Sequence, residues 1–316
     1  MKRIVYVCLA VITNWVMAQQ APHYTQYMIN PFLVNPAVSG SEDYVDLKAG
    51  YRNQWINMDG APTTMFLSGH APLGKNKAMS SNRSKNKKNG WHGIGGVVSH
   101  DAIGPTTTTS FSGSYSYHLK LSEKLVGSFG VLGGLQRFLI DGNKLTTVTA
   151  GDAAVSSVSG TSLADLNTGV WLYSKTFYTG FSMVQVFPQK LVRSDANNGK
   201  LAQHMFLMGG VRIPFGYEGE FTFIPSAVMK IVYPAPITFD INAKLKYKDK
   251  VWAGVSYRRT DAVGLLAGFL VQNFEMSYSY DINTSSLRKY NGGSHEIIIG
   301  YRIPIVSRII CPSNFW

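Results

Sequence analysis

"FSGSYSYHLKL", residues 111–121, alternates without a break. Phe111, Gly113, Tyr115, Tyr117, Leu119 and Leu121 fall on one face, and Ser112, Ser114, Ser116, His118 and Lys120 fall on the other. A period of two belongs to a β-strand, whose successive side chains point to opposite sides of the sheet. Two more stretches repeat the pattern. In "ITFDINAKLKY" (237–247), Ile237, Phe239, Ile241, Ala243, Leu245 and Tyr247 oppose Thr238, Asp240, Asn242, Lys244 and Lys246. In "FEMSYSYDI" (274–282), Phe274, Met276, Tyr278, Tyr280 and Ile282 oppose Glu275, Ser277, Ser279 and Asp281. Such runs exceed the globular strand norm of about 5–6 residues and match the ~9–11 residues of a tilted strand crossing a bilayer.

Working outward, the same alternation marks about fourteen segments, near 46–55, 62–71, 91–100, 106–121, 125–139, 166–174, 176–187, 201–213, 220–232, 237–247, 250–258, 262–272, 274–282 and 294–304. Tight links such as Ser122-Glu123-Lys124, Lys248-Asp249, Thr260-Asp261 and Asn273 separate several of them, so consecutive strands read as antiparallel neighbours. A soluble sandwich or propeller also alternates. Strand length argues for a barrel instead, as do aromatic residues recurring near strand ends: Trp55, Trp91, Tyr117, Trp171, Phe187, Tyr233, Tyr247, Trp252 and Tyr257. Girdle placement at the headgroup level accounts for such rings. The expected fold is all-β, a transmembrane antiparallel β-barrel over residues 46–304.

Composition fits that reading. Charged residues make up 15% of the 316, and after the first eleven residues no apolar run approaches the length of a membrane helix. At the start, Lys2 and Arg3 precede the apolar Ile4–Val11, and Val16-Met17-Ala18 offers a small-residue cleavage site. This is the layout of a secretory signal peptide over 1–18, with a mature chain from Gln19. Its removal would lower the net charge from +12 to +10 and leave Cys311 as the one remaining cysteine, so no internal disulfide is expected in the exported protein.

An even strand count with both ends in the periplasm puts the first connection, near Asn57 to Gly60, outside. The tight links at Ser122-Glu123-Lys124, Ser174-Lys175, Lys248-Asp249 and Asn273 then fall on the periplasmic side, and the longer connections near 141–165, 188–200 and 283–293 fall outside. Short periplasmic turns and long external loops are the barrel norm. "KNKAMSSNRSKNKKNG" (75–90) departs from it, being long and periplasmic by parity. It carries Lys75, Lys77, Arg83, Lys85, Lys87 and Lys88 and no acid. A like-charge block of this kind reads as a solvated hairpin tip or as a dock for an acidic partner.

No signature of catalysis stands out: no nucleophile elbow, His-Glu-x-x-His, phosphate-binding glycine loop or Cys-x-x-Cys. The seven histidines are dispersed; His92 and His100 share a strand face, with His70 on the next strand, without metal-site spacing. No enzyme, cofactor or metal is expected, and nucleic acid is not a plausible partner in that compartment.

"QYMINPFLVNPAVSG" (26–40), within the segment 19–45, follows neither period. Pro31 and Pro36 push Asn30 and Asn35 out of the helical region, giving two linked turns that carry Tyr27, Met28, Phe32, Leu33 and Val34. Irregular backbone is satisfied inside protein rather than lipid, so this segment is expected in the lumen as a plug or at the periplasmic rim as a lid. A lumen-facing Arg52 is expected to anchor it by hydrogen bonds.

"YTQYMINPFLVNPAVSG", "YRNQW", "GAPTTMFLSGHAPL" and the final "RIICPSNFW" together resemble the PorP/SprF family of Bacteroidota outer-membrane proteins, over the whole mature chain. The resemblance implies a β-barrel associated with the type IX secretion system, assisting secretion or surface attachment of specific cargo, including large gliding adhesins, alongside periplasmic machinery. It carries no catalytic residues. Its shared motifs fall on Gln26, Tyr27, Asn30, Pro31, Asn35, Pro36 and Gly40, on Tyr51, Arg52, Gln54, Trp55, Gly60, Ala61 and Pro62, and on Cys311, Pro312, Phe315 and Trp316 of the tail 305–316. Together with Lys85, Lys87 and Lys88 these are the expected structural or docking positions. The competing function is an outer-membrane pore for small or hydrophobic solutes. A lumen filled by its own chain favours docking, and an open one favours transport.

Overall fold

The computed structural model describes residues 25–75, 90–144, 159–188, 202–233 and 235–305. Its strands in chain order are β1 Tyr44–Asn53, β2 Thr63–Leu73, β3 Gly90–Ile103, β4 Thr106–Lys120, β5 Val126–Ile140, β6 Ser159–Tyr173, β7 Phe177–Val184, β8 His204–Val211, β9 Ile213–Phe215, β10 Phe221–Val232, β11 Thr238–Tyr247, β12 Val251–Arg258, β13 Ala262–Val271, β14 Phe274–Asn283 and β15 Ser294–Pro304. β8 and β9 both pair with β10, separated only by Arg212, and act as one stave. The result is a closed barrel of 14 antiparallel staves.

Each strand pairs with its sequence neighbours, and the ends of the sheet meet where β1 lies against β15, from Tyr44 opposite Pro304 to Asn53 opposite His295. Closure gives every stave a neighbour on both sides, the condition for a sheet in hydrocarbon, although β6 runs past the end of β7 from Thr168 back to Ser159. The outer face is apolar: Leu67, Phe111, Val255 and Ile241 are all exposed there. On a water-soluble protein this continuous apolar surface would be an aggregation hazard; surrounded by acyl chains it is the favourable arrangement. Alternation sends Asp46, Lys48, Arg52, Asp240, Glu275, Asp281 and Glu296 inward, where all are buried.

The two ends differ. One carries the turns after β4, β6, β9, β11 and β13, the longest of them residues 121–125 and 216–220. Lys248 and Asp249 both take positive φ (50° and 53°), the left-handed pair that joins two strands without splaying them. β5, β7 and β14 end, and β6, β8 and β15 begin, at the other end. β2 ends and β3 begins at the short-turn end, as the expected parity requires. Lys77, Arg83, Lys85, Lys87 and Lys88 between them lie outside the described residues.

Three of the expected girdle aromatics are not on the outside. Trp91, Trp171 and Trp252 are 2%, 1% and 5% exposed and face the lumen. Their strand parity is that of Gly93, Tyr173 and Gly254, inward positions, so position near a strand end misled where the face decided. Tyr117, Phe187, Tyr233, Tyr247 and Tyr257 do lie on the exposed side.

Candidate functional site: a filled lumen

Residues 25–43 thread the interior of the barrel. Gln26, Ile29, Asn35, Ala37 and Ser39 are each 0% exposed. The two Asn-Pro pairs form two short 3-10 turns, Pro31–Leu33 and Pro36–Val38, with proline at the first position of each. Fixed φ and a missing N–H suit proline to that position. Asn35 caps the second turn, accepting from the Ala37 amide at 3.0 Å, and its Nδ2 donates outward to the Val170 and Phe181 carbonyls.

Towards the long-loop end the segment begins in an ionic clamp. Glu296 accepts from the Thr25 and Gln26 amides at 2.8 and 3.3 Å, and its own carbonyl accepts from Gln26 Nε2 at 3.0 Å. Arg52 donates to Thr25 Oγ1 at 2.6 Å and pairs with Glu296 and Asp281, both at 2.9 Å. Thr25 Oγ1 in turn donates to Asp281 and accepts from Arg258 at 3.1 Å. One threonine hydroxyl thus ties β1, β12 and β14 together, while Glu296 brings in β15. Buried charges are tolerable only when paired and hydrogen-bonded in this way.

The middle of the segment packs on apolar and amide groups. Asn242 donates to the Tyr27 hydroxyl, Asn30 donates to Ser68 Oγ at 2.8 Å, and Phe32 meets the His70 ring edge-on at 5.0 Å. The wall makes room for it. A Cβ on Gly130 would lie 2.5 Å from the Ala37 amide nitrogen, so main chain rests directly on main chain there. At the short-turn end Gly40 has φ +76°, and a Cβ on it would come within 2.5 Å of the Gly93 Cα. That conformation and that approach both require glycine.

Here the segment leaves through a second clamp. His118 Nε2 donates to the Ser39 carbonyl at 2.7 Å, Ser116 Oγ donates to the same carbonyl at 2.5 Å, and the Tyr173 hydroxyl holds His118 Nδ1 at 3.1 Å. Trp91 stacks on His118 at 5.1 Å and donates Nε1–H to the Gly40 carbonyl at 2.9 Å. Lys75 pairs with Asp43 at 2.8 Å and donates to the Ser41 and Glu42 carbonyls. Lys75, expected in the basic loop as part of a solvated tip or a dock for an acidic partner, lies in this clamp, its ammonium group over the Trp91 ring at 5.0 Å.

The expected positions divide cleanly. Gln26, Tyr27, Asn30, Pro31, Asn35, Pro36 and Arg52 converge in the lumen. Gln54 and Trp55 stand at the long-loop end of β1, Trp55 with φ +52° and its amide donating to Ser294 Oγ at 3.2 Å. Cys311, Pro312, Phe315 and Trp316 lie outside the described residues, with Lys85, Lys87 and Lys88. His70, His92 and His100 do not come together. His70 points inward and accepts from the Gly40 amide at 3.3 Å, whereas His92 and His100 are exposed on the outer face beside Tyr115 and Thr109. Motif and spacing alone do not mark Asp281, Glu296, Arg258, Ser116, His118 and Gly130 as contacts of this segment. Their inward parity was readable, but nothing in the spacing said which inward residues share a height with residues 25–43.

Comparison with known proteins bears on both fold and family. The model of the family described as type IX secretion system membrane protein PorP/SprF matches residues 16–301. No curated protein matches the sequence. Among solved structures, a FadL homologue of Pseudomonas aeruginosa is similar with a TM-score of 0.50 at 12% identity, covering 90% of this chain and 95% of that one. The CymD monoaromatic hydrocarbon channel is similar with a TM-score of 0.50 at 13% identity, covering 90% and 94%. At such identities the likeness concerns the fold, that of an outer-membrane barrel.

Proposed function

The chain belongs to the PorP/SprF family of type IX secretion system membrane proteins, and on that premise we propose that it is a non-enzymatic outer-membrane partner of that system, assisting secretion or surface attachment of specific cargo such as a large gliding adhesin. The observation that carries the reading is the filled lumen: residues 25–43 are clamped at both ends and buried between them. A barrel occupied by its own chain offers its partners the two rims and the outer wall rather than a passage. In this reading residues 1–18 are the signal peptide and the short-turn end faces the periplasm. Lys85, Lys87 and Lys88 present positive charge there to an acidic component of the machinery. In the same reading Cys311, Pro312, Phe315 and Trp316 of the tail serve as further docking positions.

Affinity purification of the tagged barrel from native outer membrane tests it. Recovery of a secreted cargo protein or a type IX component, lost on Lys85→Glu, Lys87→Glu and Lys88→Glu substitution, is the expected result. Recovery of the barrel alone counts against the proposal. A second reading, a channel for hydrophobic solutes, draws on the fold shared with the FadL homologue and with CymD. Single-channel conductance of the intact protein separates the two, because an occupied lumen conducts poorly.

A further inference from the structure

A single charged side chain stands on the outer wall of the barrel strands. Among the described residues, Arg137 of β5 is the one arginine, lysine, aspartate or glutamate at an outward-facing strand position; the other strand charges, from Asp46 on β1 to Arg302 on β15, take the inward parity. Arg137 is exposed, and among the described residues no carboxylate pairs with it. Asp141 follows only past the end of the strand. The ladder sets its neighbours. Arg137 lies opposite Thr109 on β4 and Ser162 on β6, and Thr109 lies opposite His100 on β3. His100 Nδ1 and Thr109 Oγ1 are 2.9 Å apart. Neighbouring strands are about 4.8 Å apart, so His100, Thr109 and Arg137 make a polar row roughly 10 Å wide.

This row stands three residues short of Ile140, where β5 ends on the long-loop side. The next outward row towards the middle of the barrel is Val98, Phe111 and Leu135, opposite one another and 39%, 60% and 65% exposed. Polar groups thus sit directly beyond large apolar ones, in the order of headgroup and acyl chain. A basic side chain on the lipid face is costly at the bilayer midplane and costs little near the interface, so Arg137 belongs at headgroup level. The anion that matches it there is a phosphate, to which a guanidinium fork donates two parallel N–H bonds. With Thr109 donating to Nδ1, His100 keeps its Nε2–H for a third. We propose that Arg137 and His100, the latter held by Thr109, bind the phosphate of a lipid headgroup whose acyl chains lie on Val98, Phe111 and Leu135. A carboxylate of a partner protein would also meet the guanidinium, but the apolar row beneath it is continuous with the lipid-facing wall, which favours a lipid. That this lipid is a phosphorylated glycolipid of the outer leaflet rests on the reading in which the short-turn end faces the periplasm.

Native mass spectrometry of the full-length protein in dodecyl maltoside tests the site, with bis-phosphorylated lipid A as probe and the same lipid stripped of phosphate as control. The variant is Arg137→Leu. Leucine suits an outward position, and the gel-mobility shift on heating establishes that the variant is a folded barrel. The unmodified protein is expected to hold the phosphorylated form about tenfold more tightly than the stripped form, the effect of one charge-assisted contact, and Arg137→Leu to hold the two alike. The proposal is overturned if the unmodified protein does not discriminate between them, or if Arg137→Leu discriminates equally well. Inorganic phosphate, added alone as its sodium salt, is expected not to bind; a bound phosphate that Arg137→Leu loses would overturn the lipid assignment. Photo-crosslinking from position 137 in native outer membrane that captures a protein, with no discrimination between the two lipids, would give the guanidinium to a partner's carboxylate instead. Micelles have no leaflets and contain no secretion machinery, so failure of the lipid measurement is distinct from failure of the orientation or of the type IX reading.

Discussion

Arg52 on the first barrel strand donates to Thr25 Oγ1 at 2.6 Å, across 27 residues of sequence, and does so while paired to Asp281 and Glu296 on the last two strands. One guanidinium therefore holds the luminal segment and both sides of the β1–β15 seam. The seam is where the sheet closes, so the same guanidinium ties the luminal segment to that closure.

Arg52→Ala leaves Asp281 and Glu296 buried without their shared cation. Breaking a buried pair from one side costs on the order of 3–5 kcal/mol. The expected outcome is a lower unfolding midpoint in detergent, together with protease cleavage near residues 20–30 that the intact protein resists. An N-terminal segment as resistant as that of the unmodified protein would refute the anchoring role.

Gly130→Leu fills the space taken by the Ala37 backbone, where even a Cβ would be 2.5 Å from a nitrogen. The wall strands are held by their ladders on both sides, so the luminal segment is what gives way. Higher conductance with a retained heat-modifiable band is expected. Unchanged conductance would mean that the segment finds another path past the new side chain.

Deleting residues 25–41 removes the filling altogether and strips Ser116, Ser128, Ser182 and His118 of main-chain carbonyls they now donate to. Water can satisfy those donors in an open lumen. Large, stable single-channel currents are the expected readout, against small or absent currents for the intact chain. Equal currents from the two would remove the plug from the account.

Val255→Lys places a charge on the outer face, midway along β12, at a site 50% exposed to the surroundings of the barrel. If lipid is that surrounding, the cost is about 2–4 kcal/mol near the bilayer midplane. Folding into bilayers of increasing denaturant content measures it. A change within about 0.5 kcal/mol, as for an ordinary water-facing substitution, would contradict the membrane assignment of that face.

How much of this was legible in the sequence depends on the range of the interaction. Alternation is local: Tyr115 and Tyr117 differ in face from Ser116 and His118 because the pleat dictates it, and the same rule sent Arg52 and Glu296 inward. The turn chemistry at Asn30-Pro31 and Asn35-Pro36 was equally local. Trp91, Trp171 and Trp252 show the limit. Their place near strand ends suggested a girdle, while their parity put them inside, and parity won because the pleat leaves a side chain no choice.

That the chain is strands of membrane length preceded by an irregular apolar segment follows from neighbouring residues alone, since period and backbone preference are local properties. The folded barrel alone reveals that this segment runs through the lumen, that Asp281 and Glu296 receive Thr25, and that Gly130 and Gly93 lie beneath Ala37 and Ser39. Those facts depend on the stagger of fourteen staves around a closed circle, and stagger accumulates over the whole barrel rather than being written in any one stretch.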